Sequence, residues 1–398
     1  MKALLFLISA VILLLSSGCK YDVAEPQWDE PFDLGAVPEI TQIDPPGSAA
    51  PGVNYITIYG KNFNGVPDNN GVLFDDFRGN VVSAEILEKS GTEIKIRRPD
   101  FSSDSCIIKI IPDSTYLPAK SSLYKVDQVY ENYGSFLENL QLAVLAVDKS
   151  ENLYVVESLS KTIHKISPDG DKTQLGTASR APTEARFGPD GNLYLLGSDR
   201  RIDRVDITTG DITQWTQLPQ GRIAKFGDFD GNYLYAGQNS GLFIVRFDSS
   251  SIVTSSGFYS GEEILAVKAV NGYLYVTSRV SSSPAKIWKH QILSGSLSAQ
   301  EMVLDMSPTD SVFSSRLVKG ITLSSDGNIF IATDAANPIL YFNPSTSELD
   351  FFYKGILPAY CKYFFWGSQK YIYMISGNIN PSQTWDVFRV DVGTTGAP

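Results

Sequence analysis

A unit of about 40 residues recurs six times in the last two-thirds of the chain. Each copy combines a turn rich in Asp, Asn and Gly with a Leu-Tyr-hydrophobic strand, a polar loop and a second strand. A period near 40 with strand patterning is typical of a propeller, in which each unit forms a blade of about four strands. We therefore predict an all-β fold with a six-bladed β-propeller over residues 127–398. The aromatic residues that anchor the six copies, spaced by 40, 41, 40, 55 and 43 residues, are Tyr154, Tyr194, Tyr235, Tyr275, Phe330 and Tyr373.

The two ends of the repeat region are predicted to meet. After the strand at residues 386–391 only seven residues remain, too few for a fourth strand in blade 6. We expect the missing outer strand to come from around Lys125–Tyr130, which would pair the two ends of the ring and remove an exposed sheet edge. The longest interval contains residues 294–316, which we predict to be an insertion between blades 4 and 5.

The repeat unit reads PDGNLYL at residues 189–195. This unit resembles NHL-type and related six-bladed propellers, and no copy carries the paired GH and WD dipeptides of WD40 repeats. In such folds the loops between second and third strands, and those between blades, converge at one mouth of the ring. The resemblance implies that a binding site lies there. The Asp-Gly turns at 169–170, 190–191, 230–231 and 326–327 are predicted hairpin turns with positive φ.

Residues 37–126 carry seven short strand-like runs separated by turn clusters, the pattern of an Ig-like β-sandwich. The segments PEITQIDP (38–45) and ITIYGKNF (56–63) resemble the IPT/TIG family, whose most specific motif is a strand followed by G-x-N-F. We expect Gly60 to form a turn with positive φ and Phe63 to plug one end of the sandwich. The resemblance implies a spacer or interaction module.

The amino terminus is predicted to be an export signal over residues 1–18. The apolar run at 3–15 would span only about 20 Å as a helix, too short for a bilayer core. The residues Ser16-Ser17-Gly18-Cys19 resemble the lipobox of bacterial lipoproteins, although Ser16 stands where Leu is usual. The resemblance implies that Cys19 carries a lipid anchor in the outer membrane. The alternative is an ordinary signal cleaved near Gly18.

Residues 19–36 are polar, acidic and proline-containing, and we interpret them as an acidic tether. Asp22 and Glu25, soon after Cys19, resemble the export signal that sends some lipoproteins to the cell surface. The resemblance implies a surface-exposed lipoprotein, and a periplasm-facing one stays open. The net charge of −11 repels phosphates, so nucleic acid is not expected as a partner. Cys106 and Cys361 fall in different predicted domains and are expected to be buried free thiols.

Histidine is scarce, with His164 and His290 as the only two. A zinc site or a His-based lyase would need more helpers and is disfavoured. Gluconolactonase-like propellers hold one metal in the central channel with Glu, Asn and Asp. That resemblance leaves Ca²⁺ as the one cofactor to consider, although no complete EF-hand loop is present. Candidate ligands are Glu157, Asp199, Asp334 and Asn378.

The predicted mouth loops are rich in Ser, Asn, Asp and Arg. Arg matches carboxylate and sulfate through its planar fork, and Trp stacks on sugar faces. We hypothesise a concave site for an anionic ligand such as a uronic-acid or sulfated glycan, with ordinary solvated loop charges as the alternative. The candidate ligand-binding residues are Arg180, Arg186, Arg200, Arg222, Lys225, Arg279, Arg316, Trp366 and Trp385.

Three functions stay open at this point. The first is a non-catalytic polysaccharide-binding module at the cell surface, because the organisation resembles accessory lipoproteins of Sus-like glycan-uptake systems. That resemblance implies an outer-membrane transporter as a partner, by analogy of fold and not from site chemistry. The second is a gluconolactonase-like hydrolase or lyase with a channel metal. The third is a protein-interaction scaffold at the outer membrane, which a flat apolar face would favour.

Overall fold

The computed structural model describes residues 36–113, 117–136, 140–239, 241–250, 252–377 and 385–397. This part of the chain is nearly all β strand, with a 3₁₀ turn at Phe63–Gly65 and a short α-helix at Ser311–Ser314. None of its helices is long and apolar enough to cross a membrane. The predicted signal peptide, Cys19 and all but the last residue of the tether lie outside the described residues.

Six antiparallel sheets form a closed ring. The innermost strands of successive sheets contact one another, and that of the sixth contacts that of the first. The all-β propeller is therefore confirmed, with the six sheets as its blades. From the channel outwards, the strands are Leu142–Val147, Leu153–Glu157, Thr162–Ile166 and Lys172–Thr177 in blade 1; Glu184–Phe187, Leu193–Leu196, Arg201–Val205 and Ile212–Gln217 in blade 2; Phe226–Asp230, Tyr233–Gln238, Gly241–Arg246 and Ile252–Ser255 in blade 3; Glu263–Val270, Tyr273–Arg279, Lys286–Leu293 and Glu301–Asp305 in blade 4; Val318–Leu323, Ile329–Thr333, Ile339–Asn343 and Glu348–Phe351 in blade 5; and Cys361–Trp366, Tyr371–Ser376, Asp386–Asp391 and Tyr130–Asn132 in blade 6.

The repeated residues occupy the positions in the blades that the pattern predicts. Each anchor aromatic lies in the second strand of its blade, and all but the half-buried Tyr275 are buried. The glycines of the four Asp-Gly turns have φ values of 92°, 76°, 50° and 86°, in the left-handed region that glycine enters without steric cost. Each turn thus returns the chain from the innermost strand, or from the third strand in the case of Gly170, to the next strand outwards.

The ring closes through its amino-terminal end. Tyr130–Asn132 pairs antiparallel with Asp386–Asp391, with Tyr130 opposite Val390. This strand starts at the last residue of the predicted segment, because Tyr124–Val126 pairs within the first domain instead. The predicted insertion at 294–316 also needs correction, since Glu301–Asp305 is the outer strand of blade 4 and Ser296–Leu297 forms a small hairpin with the third strand.

A buried carboxylate joins the first and last blades at the face opposite the mouth. Glu151 is only 6% exposed. It lies in the turn between the first two strands of blade 1 and accepts hydrogen bonds from blade 6: from the backbone N–H of Ser368 (2.6 Å) and Gln369 (3.1 Å), the Ser368 hydroxyl (2.7 Å) and the Tyr373 hydroxyl (3.3 Å). One side chain therefore satisfies two backbone donors of the neighbouring blade.

The first domain consists of two sheets that enclose one core. Gly60 was expected to have positive φ, and this prediction is wrong: the left-handed residue is Asn62, with φ 61°. Glycine is needed at position 60 because a Cβ there would lie 1.9 Å from the Glu39 carbonyl oxygen and 2.4 Å from the Phe63 ring. Phe63 is fully buried in this core, as predicted. The strands of the two sheets, in spatial order, are Glu39–Asp44, Tyr55–Lys61, Glu93–Arg97 and Ile86–Lys89; and Ser48–Ala49, Tyr124–Val126, Ser103–Ile110, Val72–Asp75 and Val81–Ser83, with Ala119–Lys120 beside Ser103–Ile110.

This domain contacts blade 5 through ion pairs and a buried tyrosine. Arg97 Nη1 lies 3.2 Å from the Asp350 carboxylate, which also accepts a hydrogen bond from the Tyr55 hydroxyl. The Tyr353 side chain is 1% exposed, and its hydroxyl donates to the Asp391 carbonyl at 2.8 Å. The backbone N–H of Tyr353 donates to Asn54 Oδ1 at 3.0 Å. These contacts link the first domain to blade 5, and Tyr353 links it further to the Asp386–Asp391 strand of blade 6.

The substitution Glu151→Ala tests the contribution of ring closure to stability. It removes the acceptor for two backbone donors, and each buried donor left without a partner costs about 1–3 kcal/mol. We expect the propeller's thermal unfolding midpoint, followed by circular dichroism, to fall by several degrees. Glu151→Gln keeps one acceptor oxygen and should lose less. The exposed Lys149→Ala in the same turn is the control, and equal midpoints for all three variants would contradict this role.

Candidate functional site

A cluster of charged side chains lies within the innermost strands, at the central channel. Arg186 in blade 2 is 7% exposed, and its Nη1 lies 2.8 Å from Glu184 Oε1. Its Nε is 3.3 Å from Asp228 of blade 3, and Lys268 of blade 4 is 3.3 Å from the same carboxylate. The Tyr363 hydroxyl of blade 6 accepts a hydrogen bond from Arg186 at 2.8 Å and also bonds Glu184. We call these five residues the channel cluster.

Burial controls the protonation of the channel cluster. Loss of solvation raises the pKa of Glu184 to about 7, although Arg186 and the Tyr363 hydroxyl oppose the rise. Burial alone would lower the pKa of Arg186, but Glu184, Tyr363 and Asp228 outweigh it, so that the pKa is raised. Burial also holds the pKa of Tyr363 well above its ordinary value. Near neutral pH the Glu184 carboxyl group is therefore present in both its protonated and its ionised form.

The channel cluster does not fit a calcium ion. Ca²⁺ takes six to eight oxygen ligands. Here two carboxylates flank a guanidinium, and Lys268 adds a second positive charge, so a cation would be repelled by side chains already bound to the available oxygens. Within the described ranges, no three His, Cys, Asp or Glu residues are grouped to hold a metal. Calcium binding elsewhere on the chain stays a prediction.

The predicted metal ligands are separated and engaged elsewhere. Glu157 Oε1 lies 2.6 Å from His164 Nε2 in blade 1, Asp199 is 3.3 Å from Arg180 in blade 2, and Asp334 is 3.3 Å from Lys319 in blade 5. Asn378 lies outside the described residues. His290 is held by the Tyr259 hydroxyl at 2.5 Å and the Ser298 carbonyl at 2.8 Å, and burial lowers its pKa.

Several of the predicted mouth cations have structural partners. Arg186 is buried in the channel cluster and does not lie in a loop between blades, which corrects its predicted position. Arg279 Nη2 is 2.7 Å from Glu263 of the adjacent strand. Arg316 donates to the carbonyls of Ala336 (2.8 Å) and Asn337 (2.9 Å), so it ties the α-helix to the mouth loop of blade 5. These three residues do not come together.

Cations come together on one side of the mouth, in the loop of blade 2 and in the connections that join blade 2 to blades 1 and 3. The loop at 199–201 bonds the next loop through Leu218 N to the Arg200 carbonyl (2.7 Å) and Ala224 N to the Asp199 carbonyl (2.8 Å). Arg200 and Arg222 are exposed, and Lys225 is half-buried. Arg180 and Arg201 pair with Asp199 and Asp203, and the Arg222 guanidinium lies 5.6 Å from the Phe243 ring centroid. We name this group the basic sector: Arg180, Arg200, Arg201, Arg222 and Lys225.

The two candidate tryptophans differ in environment. Trp366 is 7% exposed, its ring packs 5.0 Å from Phe330, and its Nε1 donates to the Gln369 carbonyl at 2.9 Å. It is a core residue and offers no free face to a sugar, contrary to its predicted role. Trp385 is half-buried, with the Lys362 ammonium 5.0 Å from its ring centroid.

The sequence analysis missed four members of the channel cluster, namely Glu184, Asp228, Lys268 and Tyr363. A signal for one of them exists: Lys268 interrupts an apolar run in the innermost strand EILAVKAV at Glu263–Val270. A charge at such a position is buried by the ring and needs a partner from another blade. The pairing itself depends on which blades face each other across the channel, and the one-dimensional pattern does not contain that information.

No protein-family model matches this sequence, and no curated protein matches it either. Solved structures are similar to it in fold. A protein of unknown function from Bacteroides thetaiotaomicron aligns with a TM-score of 0.50 and 12% identity, covering 89% of this chain and 98% of that one.

Two further solved structures align with about the share of this chain that the propeller occupies. XC5397 from Xanthomonas campestris, described as a gluconolactonase, has a TM-score of 0.51 and 11% identity over 73% of this chain and 91% of its own. Regucalcin from Agrobacterium tumefaciens, described as a calcium-binding protein, has a TM-score of 0.51 and 11% identity over 67% and 94%. These similarities support an NHL-like or related propeller, and at such identities they establish the fold alone.

The titration of Glu184 predicts how stability depends on pH. The pKa of Glu184 is about 7 in the folded state, above the value of 4.5 in the unfolded state. Its favourable contribution to the free energy of unfolding is therefore complete below pH 4.5 and is lost as the pH rises through 7. Glu184→Gln cannot ionise, and its stability relative to the wild type should increase between pH 4.5 and 7 by on the order of 1–3 kcal/mol. Denaturant unfolding across this range measures the difference. The exposed Glu301→Gln is the control, and a pH-independent difference for Glu184→Gln would contradict the assignment.

Proposed function

We propose that this protein is a cell-envelope lipoprotein whose propeller mouth binds an anionic polysaccharide without catalysis. The observation that carries the proposal is the basic sector, in which the loop of blade 2 and the connections that join blade 2 to blades 1 and 3 gather cations on a chain of net charge −11. Guanidinium groups bind carboxylate and sulfate through paired hydrogen bonds. A polymer of uronic-acid or sulfated sugars presents such groups at regular intervals, so several cations of one sector can act on one chain.

The anchor and the spacer complete the proposal. Cys19 carries the lipid, residues 19–36 form the tether, and the first domain is an Ig-like module of the IPT/TIG type that holds the propeller away from the outer membrane. The protein is surface-exposed beside an outer-membrane transporter that receives the polysaccharide. Mass spectrometry of the exported protein tests the anchor: a lipid-modified Cys19 as first residue supports it, whereas an unmodified amino terminus overturns it.

A hydrolase or lyase is the second candidate. It is favoured by the buried Glu184 with its pKa of about 7, since a carboxyl group that is half protonated near neutral pH suits general acid–base catalysis. Glu184 is hydrogen-bonded to Tyr363. It is the first residue of the innermost strand of blade 2, at the end of the channel nearest the mouth. The similarity to gluconolactonase propellers shows the fold alone. A reaction on this pattern would use side chains of this chain for proton transfer and no channel metal.

The combined substitution Arg200→Ala, Arg222→Ala and Lys225→Ala tests the binding proposal. Isothermal titration of oligogalacturonate and a sulfated oligosaccharide should show wild-type binding that weakens by at least about 10- to 100-fold in this variant, because the loss of even one charge-assisted hydrogen bond of about 1.5–3 kcal/mol lowers affinity by that factor. Added salt should weaken the wild-type interaction more than that of the variant. A matched variant, Lys120→Ala with Lys149→Ala and Lys289→Ala, removes three cations elsewhere and should bind as the wild type does.

Two results would overturn the binding proposal. One is equal affinity in the wild type and the basic-sector variant. The other is turnover: if the wild type opens saccharide lactones or cleaves the oligosaccharide, and Glu184→Gln does not, then the hydrolase or lyase replaces the binding module.

A further inference from the structure

A cleft of about 390 Å³ lies where the first domain and the carboxyl-terminal segment meet blade 5. It opens among the turns on the face opposite the mouth, so it is separate from the basic sector and the channel cluster. Its wall is aromatic and acidic, and the wall residues include no Lys, Arg or His. The side chains that matter below are Tyr55, Asp326, Asn328, Tyr341 and Glu348.

The repeat shows what usually surrounds the aspartate of this turn. In blade 2 the equivalent Asp190 accepts a hydrogen bond from the Tyr194 hydroxyl at 3.3 Å and pairs with Arg204 Nε at 2.9 Å. Tyr194 and Arg204 are register partners on the second and third strands. The turn carboxylate is thus neutralised within its own blade.

Blade 5 departs from the repeat at both positions. The register partners there are Phe330 and Tyr341, so the second strand offers no hydroxyl and the third strand offers no cation. Within its own turn, Asp326 accepts hydrogen bonds from Ser324 Oγ and, at 2.8 Å, from Asn328 Nδ2. No residue in the described part of the chain forms an ion pair with it. The turn aspartates Asp148 and Asp230 also form no ion pair within the described residues, but their blades keep a tyrosine on the second strand, Tyr154 and Tyr235. Asp326 lacks both partners, and it lines the cleft.

The negative charge of the cleft wall determines which charge a ligand of the cleft can carry. Glu348 is exposed beside Tyr341, and the wall itself holds these two carboxylates and no basic residue. Lys95 and Arg97 lie 5.3 and 5.4 Å from the Tyr55 ring centroid, but Lys95 pairs with Glu88, and Arg97 pairs with Glu85 and Asp350. Burial, followed by Asp326 and Glu348, raises the pKa of Tyr341, so its hydroxyl keeps its proton. An anionic sugar would be repelled here, whereas a ligand with hydroxyl and ammonium donors would pair with both carboxylates. Tyrosine rings pack on the apolar faces of pyranose rings and attract ammonium groups.

We propose that the junction cleft binds an amino-sugar residue of a glycan. The ammonium group takes the place that Arg204 occupies in blade 2, beside Asp326. Glu348 accepts hydrogen bonds from the sugar hydroxyls, and Asn328 donates hydrogen bonds to them. Tyr341 packs against the sugar ring. The cleft has the opposite charge preference to the basic sector, so the two sites would recognise different residues of a mixed-charge polysaccharide. The inference does not depend on the proposed function of the mouth.

The test is isothermal titration of the full mature chain with a β-1,4-linked glucosamine tetramer. We expect the wild type to bind this tetramer at least tenfold more tightly than its N-acetylated form, which has no charge. Asp326→Asn combined with Glu348→Gln should weaken glucosamine binding at least tenfold. Tyr341→Ala should weaken both tetramers. Unfolding midpoints show whether each variant folds, and Glu348→Gln alone is the fallback because this side chain is exposed.

A matched control separates a built site from general attraction to an acidic protein. Asp190→Asn combined with Asp211→Asn removes the same two charges from the turn and the fourth-strand start of blade 2, and it should leave glucosamine binding unchanged. Equal losses in the two double variants, or no binding by the wild type, would overturn the proposal. Binding of oligogalacturonate should be unaffected by Asp326→Asn with Glu348→Gln, so failure here is distinguishable from failure at the mouth.

Discussion

The pairing of Tyr130–Asn132 with Asp386–Asp391 is the interaction on which the rest of the propeller depends. A ring of blades that is closed only by side-chain packing can open at its last gap, and an open ring exposes sheet edges. Here the outer strand of blade 6 comes from the opposite end of the repeat region. Glu151 adds hydrogen bonds from blade 1 to the turn of blade 6 on the face opposite the mouth. The first and last blades are therefore joined by backbone pairing and by a buried carboxylate.

Closure also explains the chemistry of the channel. Once six innermost strands surround a narrow axis, a charge buried between them leaves water and needs a partner. Arg186 bonds Glu184 on its own strand, Asp228 of blade 3 and Tyr363 of blade 6. The positive charges thereby occupy the oxygens that a channel metal would need. The same burial raises the pKa of Glu184 to about 7 and leaves one titrating group in an otherwise neutralised cluster.

The first domain makes one side of the ring different from the others. Its contacts with Asp350 and Tyr353 hold it against blade 5, and Tyr353 links it further to the Asp386–Asp391 strand of blade 6. Blade 5 is also where Phe330 and Tyr341 replace the hydroxyl and the cation that neutralise Asp190 in blade 2. The molecule consequently separates its charges: cations gather at the mouth around blade 2, and carboxylates remain at the junction cleft on the opposite face.

The sequence by itself determined the ring of six blades, because turn and strand residues recur at a spacing that only a repeated blade satisfies. It also predicted the glycine turns, the buried Phe63 and a closing strand near Tyr130, each of which depends on local patterning. It misplaced Gly60, which is required by a close contact with Glu39 and not by its own φ. It also placed Arg186 in a loop and Trp366 at the mouth, although both are buried. Only the tertiary structure decided which charges are neutralised, since that depends on which strands and blades lie side by side, and the spacing of residues along the chain does not specify those contacts.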